Sequence, residues 1–231
     1  MKVIHLSETN NVINQFLKEL RSVSIQGDSM RFRRNIERIG EIMAYEISKE
    51  LDYAPETIQT PLASCTLHVP QDQIVLGTIL RAGMPLHDGL FHYFDKAENA
   101  FISAYRRYTN EQHTDLEIVV EYMASPDLNG KTLILPDPML ATGGSMELTY
   151  QALLKNGKPR KLFLAAVIAS QEAVEYLQKT MPEDAILWVA AIDPVLNEHK
   201  YIVPGLGDAG DLCFGEKLAN DFFKHIGCHF S

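Results

Sequence analysis

The sequence predicts an α/β fold, a mainly parallel sheet flanked by helices, and three observations carry that expectation. Apolar runs of strand length alternate with helical patterns from Ile74 to Ile192, the chain order of crossover-connected parallel strands. Two runs, Ile74–Leu80 and Leu133–Leu135, lack polar alternation, as strands covered on both faces do. Each then meets a turn of small residues before a helical pattern: Arg81-Ala82-Gly83 in one case and Ala141-Thr142-Gly143-Gly144-Ser145 in the other. Open sheets of this class bind ligands beyond the carboxyl ends of their strands.

In chain order, residues 10–20 give a short helix, and Asp28-Ser29 caps a longer one running to about Leu51. Phe32, Ile36, Ile39, Met43 and Ile47 step by three or four, so one face packs. Arg31, Arg33, Arg34 and Arg38 read as its solvated side. Residues 57–69 are rich in Thr, Ile and Val around Pro61 and read as an exposed hairpin or arm. After the strand Ile74–Leu80 comes a helix over 84–94, then strands over 99–105 and 116–122 with a polar flap between them. Thr132 opens the next strand, which breaks at Pro136-Asp137-Pro138. The helix after Ser145 offers Met146, Leu148 and Leu153 or Leu154 for one face and ends at Gly157. A strand over 161–168, a helix over 171–179 and a strand over 185–192 complete the alternation.

Bulk properties narrow the function. The chain has 231 residues, 46% of them hydrophobic, which suits one substantial core. A net charge of −9 argues against broad attraction to nucleic acid. No apolar run is long enough for a bilayer, and MKVIHLSETNN has no signal-peptide core, so a cytoplasmic protein is expected. Cys65, Cys213 and Cys228 lack paired spacing and read as reduced thiols. His225 and His229, four apart beside Gly227, read as a frayed tail with no metal site.

On its residues alone, Gly143-Gly144 is an ordinary βα turn capped by Ser145. Asp137 at the strand's carboxyl end shifts the balance toward an anion cradle. Glycines let the backbone approach a phosphate, and the following helix start points N–H groups at it. Asp137 would accept hydrogen bonds from sugar hydroxyls beside that phosphate. Arg81, taken alone, is a surface ion pair with Asp88 or another carboxylate; its fork also suits phosphate oxygens. Gly205-Leu206-Gly207-Asp208-Ala209-Gly210 formally matches the dinucleotide fingerprint. Pro204 before it and too little chain after it exclude that unit.

Three stretches in this order, ILRAG…DG, DPMLATGGS and YIVPGLGDAGD, resemble the signatures of the uracil phosphoribosyltransferase family. The likeness extends from about Arg31 to Gly215. It implies a phosphoribosyltransferase-type sheet with a small hood, 193–215, and a β-arm, 57–69, used in dimerisation, the core being 74–192 and the leading helices 10–51. It implies transfer of phosphoribosyl from phosphoribosyl diphosphate (PRPP) to uracil, giving UMP and diphosphate, with Mg²⁺ carried mainly on PRPP. The PRPP contacts implied are Arg81, Arg106, Asp137, Pro138, Met139, Leu140, Ala141, Thr142, Gly143, Gly144, Ser145 and Asp208. Arg106 stands beside Arg107, the alternative one position on. The uracil contacts implied are Ile202, Gly207, Asp208 and Ala209, and Asp208, Arg106 and Arg81 are implied as catalytic. A homodimer or higher homo-oligomer is implied, with no nucleic acid and no membrane. Met84-Pro85-Leu86-His87, Pro194-Val195 and Lys200 depart from the family pattern. Another base, or an RNA-binding pyrimidine sensor without catalysis, are the rival readings.

Overall fold

The structure is a computed structural model; residues 1–108 and 116–216 are described, with the side chains of 104–121 outside that description. A short strand β1 (Lys2–His5) leads to helices α1 (Ile13–Arg21) and α2 (Ser29–Ser48). Asp28 caps α2 by accepting from the Arg31 N–H at 3.0 Å. Strands β2 (Tyr53–Gln59) and β3 (Ser64–Pro70) form an antiparallel hairpin, most of whose residues are exposed. Then come β4 (Ile74–Leu80), α3 (Met84–Phe91), β5 (Glu98–Tyr108), β6 (Leu116–Ala124), β7 (Thr132–Pro136), β8 (Met139–Leu140) and α4 (Gly144–Leu153). The chain continues through β9 (Lys161–Ser170), α5 (Gln171–Thr180), β10 (Ile186–Asp193), the two-residue strands β11 (Val195–Leu196) and β12 (Ile202–Val203), and α6 (Ala209–Phe214).

The central sheet runs β1-β10-β9-β7-β4-β5-β6, parallel throughout except for β6, with β8 pairing alongside β9. The unbroken apolar runs have the cause assigned to them. In β9, Phe163, Ala165 and Val167 pack on the face of α1, α2 and α3, while Leu162, Leu164 and Ala166 pack on the face of α4 and α5. Phe163 meets Trp188 of β10 edge-on at 5.2 Å, a favoured aromatic geometry. Full burial of each of the Phe, Val and Leu side chains stabilises by roughly 1.5–3 kcal/mol, which favours a fixed middle of the sheet.

Several boundaries differ from expectation. β1 was not foreseen; four residues are too few for a period, and β10 supplies the pairing that makes it a strand. Leu148 is 36% exposed, and Thr149 and Tyr150 share the buried face of α4 instead. Ser145 does not cap α4: Gly143 holds that position at φ +82°. Gly157, at φ +117°, follows a short 3₁₀ turn over Leu154–Asn156. No described helix is long and apolar enough to cross a membrane.

In the Met84-Pro85-Leu86-His87 stretch, α3 starts at Met84. Pro85 sits in the first helical turn, where its missing N–H costs little. His87 is buried and its Nδ1 meets Thr78 Oγ1 of β4, tying α3 to the sheet beneath the Arg81 turn. Burial holds its imidazole below the ordinary value, with Asn99 acting in the opposite direction. A histidine depressed in the folded state stabilises fully above its unfolded value of about 6.5 and less as pH falls below it. Resistance of the wild type to urea should therefore fall as pH is lowered from about 7 to about 5.5. His87→Gln, neutral throughout, should lose less over that interval; equal losses would assign the pH dependence elsewhere.

Candidate active site

Because β4, β5, β7, β9 and β10 are parallel, Arg81, Asp137 and the segment after Asp193 all leave the sheet at one edge. The pairing Leu80↔Ser103 places Arg106 three residues further along β5, roughly 10 Å past the end of that pairing. Its side chain, like those of Tyr105 and Arg107, and the flap residues 109–115 lie outside the described part. So do Cys228, His225 and His229.

The 137–145 loop is anchored to β9 before it reaches the glycines. The Asp137 N–H donates to Ala165 O at 3.0 Å, and Pro138 O accepts from Val167 and Ile168 at 3.2 and 2.9 Å. β8 then pairs with Ile168 and Ala169. Ser170 Oγ donates to Ala141 O and accepts from the Ala173 N–H at 2.9 Å, capping α5 with the same atom. Asp137 Oδ1 accepts from the Met139 N–H at 3.2 Å. Asp137, Met139, Leu140, Ala141, Thr142, Gly143, Ser145 and Met146 together line a small concavity at the start of α4. Gly143 is required by conformation and by space: at positive φ, a Cβ there would lie 3.0 Å from the Tyr176 ring.

On β4 the turn is equally tight. The Leu80–Arg81 peptide is cis, and a Cβ on Gly83 would fall 2.6 Å from Ile79 O. Arg81 does not pair with Asp88. Its Nη2 donates to Asp211 Oδ1 at 3.2 Å and to Gly215 O at 3.4 Å, joining the first and third motifs. Asp88 instead has its carboxyl raised by burial and by nearby Glu37.

The third motif is more ordered than a glycine-rich loop. β11 and β12 pair in a hairpin whose turn is held by Asn197 Oδ1, which accepts from the His199 and Tyr201 N–H groups at 3.0 and 2.9 Å. Lys200 lies at φ +61° in that turn, a conformation that favours glycine. Ile202 is buried in β12, and Val203–Pro204 is cis. Gly207 has φ +90°. Asp208 caps α6, its Oδ1 accepting from the Asp211 N–H at 3.0 Å. This helix went unforeseen because small residues dominate it; its signal was Asp208 followed by Leu212 and Cys213. Burial pushes the Cys213 thiol up to about 12, so it serves packing, not chemistry.

Two residues that hold this segment, Arg21 and Gln26, had no signal in any motif. Arg21 pairs with Asp193 through two bonds of 2.8 Å, and Gln26 Nε2 donates to Leu206 O at 3.1 Å. A concavity of about 690 Å³ lies at the other end of the strands, between Ile74, Glu98 and the base of the β2–β3 hairpin. The arginines of α2 are engaged: Arg31 with Glu19, Arg34 with Glu37 and Glu41, Arg33 with Cys213 O. Glu37, Glu41 and His92 bring ligand atoms within 4.8 Å of one another, but Arg34 already balances both carboxylates.

The sequence model of uracil phosphoribosyltransferase matches residues 7–216. The chain belongs to the uracil phosphoribosyltransferase family. A uracil phosphoribosyltransferase of Porphyromonas gingivalis is 56% identical over 218 residues, covering 94% of this chain and all of that one. One from Thermococcus gammatolerans is 34% identical, covering 93% and 94%. Among solved structures, the AQ2163 protein from Aquifex aeolicus aligns with a TM-score of 0.82 at 26% identity, covering 94% of this chain and all of that one. Membership makes this chain a pentosyl-transferring enzyme, and the mainly parallel sheet with its flanking helices is the family's fold.

Proposed function

We propose that the edge formed by Arg81, residues 137–145 and residues 202–209 takes PRPP and uracil and releases UMP and diphosphate. The observation that carries this reading is the Gly143–Gly144 start of α4, set beside Asp137 and facing Arg81 across the same sheet edge. Ala141 to Ser145 hold the 5′-phosphate through N–H groups and hydroxyls, aided by the α4 dipole. Pro138, Met139 and Leu140 carry that cradle along β9, and Asp137 orders the ribose hydroxyls. Arg81 and Arg106 take up charge on the departing diphosphate, as preorganised cations do best. Ile202, Gly207, Asp208 and Ala209 align uracil, whose acceptor–donor–acceptor edge complements peptide groups and rejects other patterns. The uracil N1–C1′ bond forms as the C1′–O bond breaks, its electron pair leaving with diphosphate and the N1 proton passing to water. Positioning and charge neutralisation suffice for this displacement, and no covalent nucleophile takes part.

The residues fit Mg²⁺ as a passenger of PRPP. Asp137 and Asp208 offer hard oxygen donors, and the thiol of Cys213 is buried. Mg²⁺ on PRPP supplies further positive charge to the leaving diphosphate. The engagement of Arg31, Arg33 and Arg34 by neighbouring groups leaves no basic face there for RNA, in a chain of net charge −9. We place the enzyme in the cytoplasm, where PRPP and uracil meet.

The hairpin β2–β3 supports assembly through an arm: Leu62 at its tip is 96% exposed, and Ile58 and Leu67 are also open to solvent. A homodimer or larger homo-oligomer should sediment as such, and Leu62→Asp should shift it toward monomer. A monomer in the wild type would sink the arm's role.

The deciding assay is UMP formation from uracil and PRPP with Mg²⁺. Turnover is expected, and Arg106→Ala should lower kcat/KM for PRPP by about 10-fold or more. Unchanged kcat/KM would remove Arg106 from the site. Asp211 tests the other cation. An exposed pair of this kind is worth up to about 1 kcal/mol. Asp211→Asn should therefore tighten diphosphate inhibition by at most roughly fivefold, since Arg81 no longer has to exchange partners. Weaker diphosphate binding in this variant would show that Asp211 orients Arg81 and does not compete for it.

A further inference from the structure

We infer that Arg21 and Asp193 are positioning residues for the base, which makes the end of α1 part of the uracil pocket's construction. The inference deepens the reading above, because it rests on Gly207 to Ala209 contacting uracil. Asp193 is the last residue of β10 and is paired in register with Ser170 of β9, so its backbone is fixed by the rigid middle of the sheet. Its carboxylate is 5% exposed and takes both arms of Arg21: Nη1 to Oδ2 and Nη2 to Oδ1, each 2.8 Å. The two groups then close on a single residue of the third motif. Arg21 Nη1 donates to Gly205 O at 3.0 Å, and the Gly205 N–H donates to Asp193 Oδ2 at 3.0 Å.

Both peptide groups of Gly205 are therefore held by one planar ion pair. The planar fork fixes orientation as well as distance, which a lysine's point charge does not. Gly205 cannot be replaced without moving the chain, since it has φ +60° and a Cβ would fall 2.0 Å from Ile202 O. The next carbonyl, Leu206 O, accepts from Gln26 Nε2, whose other bond runs to Leu20 O at the end of α1. Gly207 to Ala209 follow at once. Their peptide groups can meet uracil only at the height and angle that Gly205 and Leu206 set. A pair kept for burial alone would be replaceable by apolar residues of similar volume. Here the ions grip backbone on the approach to the base segment, and their contact spans 172 residues of sequence.

The test compares wild type with Arg21→Lys, Asp193→Asn, the double variant and Gln26→Ala, reading kcat, both KM values and thermal melting. Arg21→Lys keeps the charge and loses the fork. It should raise KM for uracil about 10-fold or more, with KM for PRPP within about twofold. Asp193→Asn should act in the same direction, and the double variant should be little worse than either single one, as expected of one shared device. Gln26→Ala, at the margin of the contact, should raise KM for uracil roughly two- to fivefold without changing the melting temperature appreciably. Unchanged KM for uracil in a folded Arg21→Lys, or parallel rises in both KM values, would overturn the inference. Gly207→Ala separates this from the reading beneath it. If Gly207→Ala weakens uracil and Arg21→Lys does not, the inference alone fails. If neither weakens uracil, the base-loop assignment fails with it.

Discussion

The site hangs from β9. That strand is buried on both faces, paired on both edges, and continuous from Lys161 to Ser170. Its Ala165 carbonyl and its Val167 and Ile168 amides hold Asp137 and Pro138 after β7 has ended. Its last side chain, Ser170, fixes Ala141 and caps α5 together. Its pairing with β10 sets where Asp193 stands. The proposed anion cradle and base segment, more than fifty residues apart in sequence, thus take their relative position from one rigid strand. A backbone cradle needs this, because N–H groups have no rotamers with which to correct an error of an ångström.

Electrostatics divide the chain's cations into those already engaged and those exchangeable. Most of the α2 arginines face glutamates or backbone, which suits an acidic protein whose substrate is itself strongly anionic. Stray cations would bind that substrate in the wrong place. Arg81 differs. Its partners are a partly exposed carboxylate at 3.2 Å and a carbonyl at 3.4 Å, long and single contacts that, in the proposed site, a diphosphate's several oxygens would outcompete.

The sequence made most of this legible where periodicity or chemistry repeats locally. β4 and α2 were readable from Ile74–Leu80 and the Phe32–Ile47 spacing because burial on a sheet or helix leaves a fixed period. Gly143-Gly144 was readable as a tight turn between a strand and a helix, which is where the structure has it. α6 was not, since Gly210 has poor helical propensity and six residues are too few to show a period; the Asp208 cap and burial of Cys213 support the helix. Arg21 and Gln26 were not legible at all. Their meaning is a contact with Gly205 and Leu206 some 180 positions away, and no local pattern encodes it. Asp193 stood in view at a strand end, but read only as a departure in its neighbours Pro194 and Val195.

The segment from Gly205 to Gly215 has little core of its own, and three arginines from three elements hold its backbone. Arg21 of α1 grips Gly205 O, Arg33 of α2 donates to Cys213 O and lies over the Phe214 ring, and Arg81 after β4 reaches Gly215 O. Leu206, Ala209 and Cys213 add apolar anchors beneath it. These holds are unequal. The Arg21 contact is short, bidentate and backed by a buried carboxylate, and losing one partner of such a pair costs about 3–5 kcal/mol. The Arg81 contact is exposed and worth at most about 1 kcal/mol. In the proposed site, a segment fastened firmly at its start and weakly at its end would keep its geometry at Gly207 to Ala209 while its far end yields Arg81 to an arriving anion. On that reading, the inequality would let one short segment be rigid toward the base and responsive toward the diphosphate.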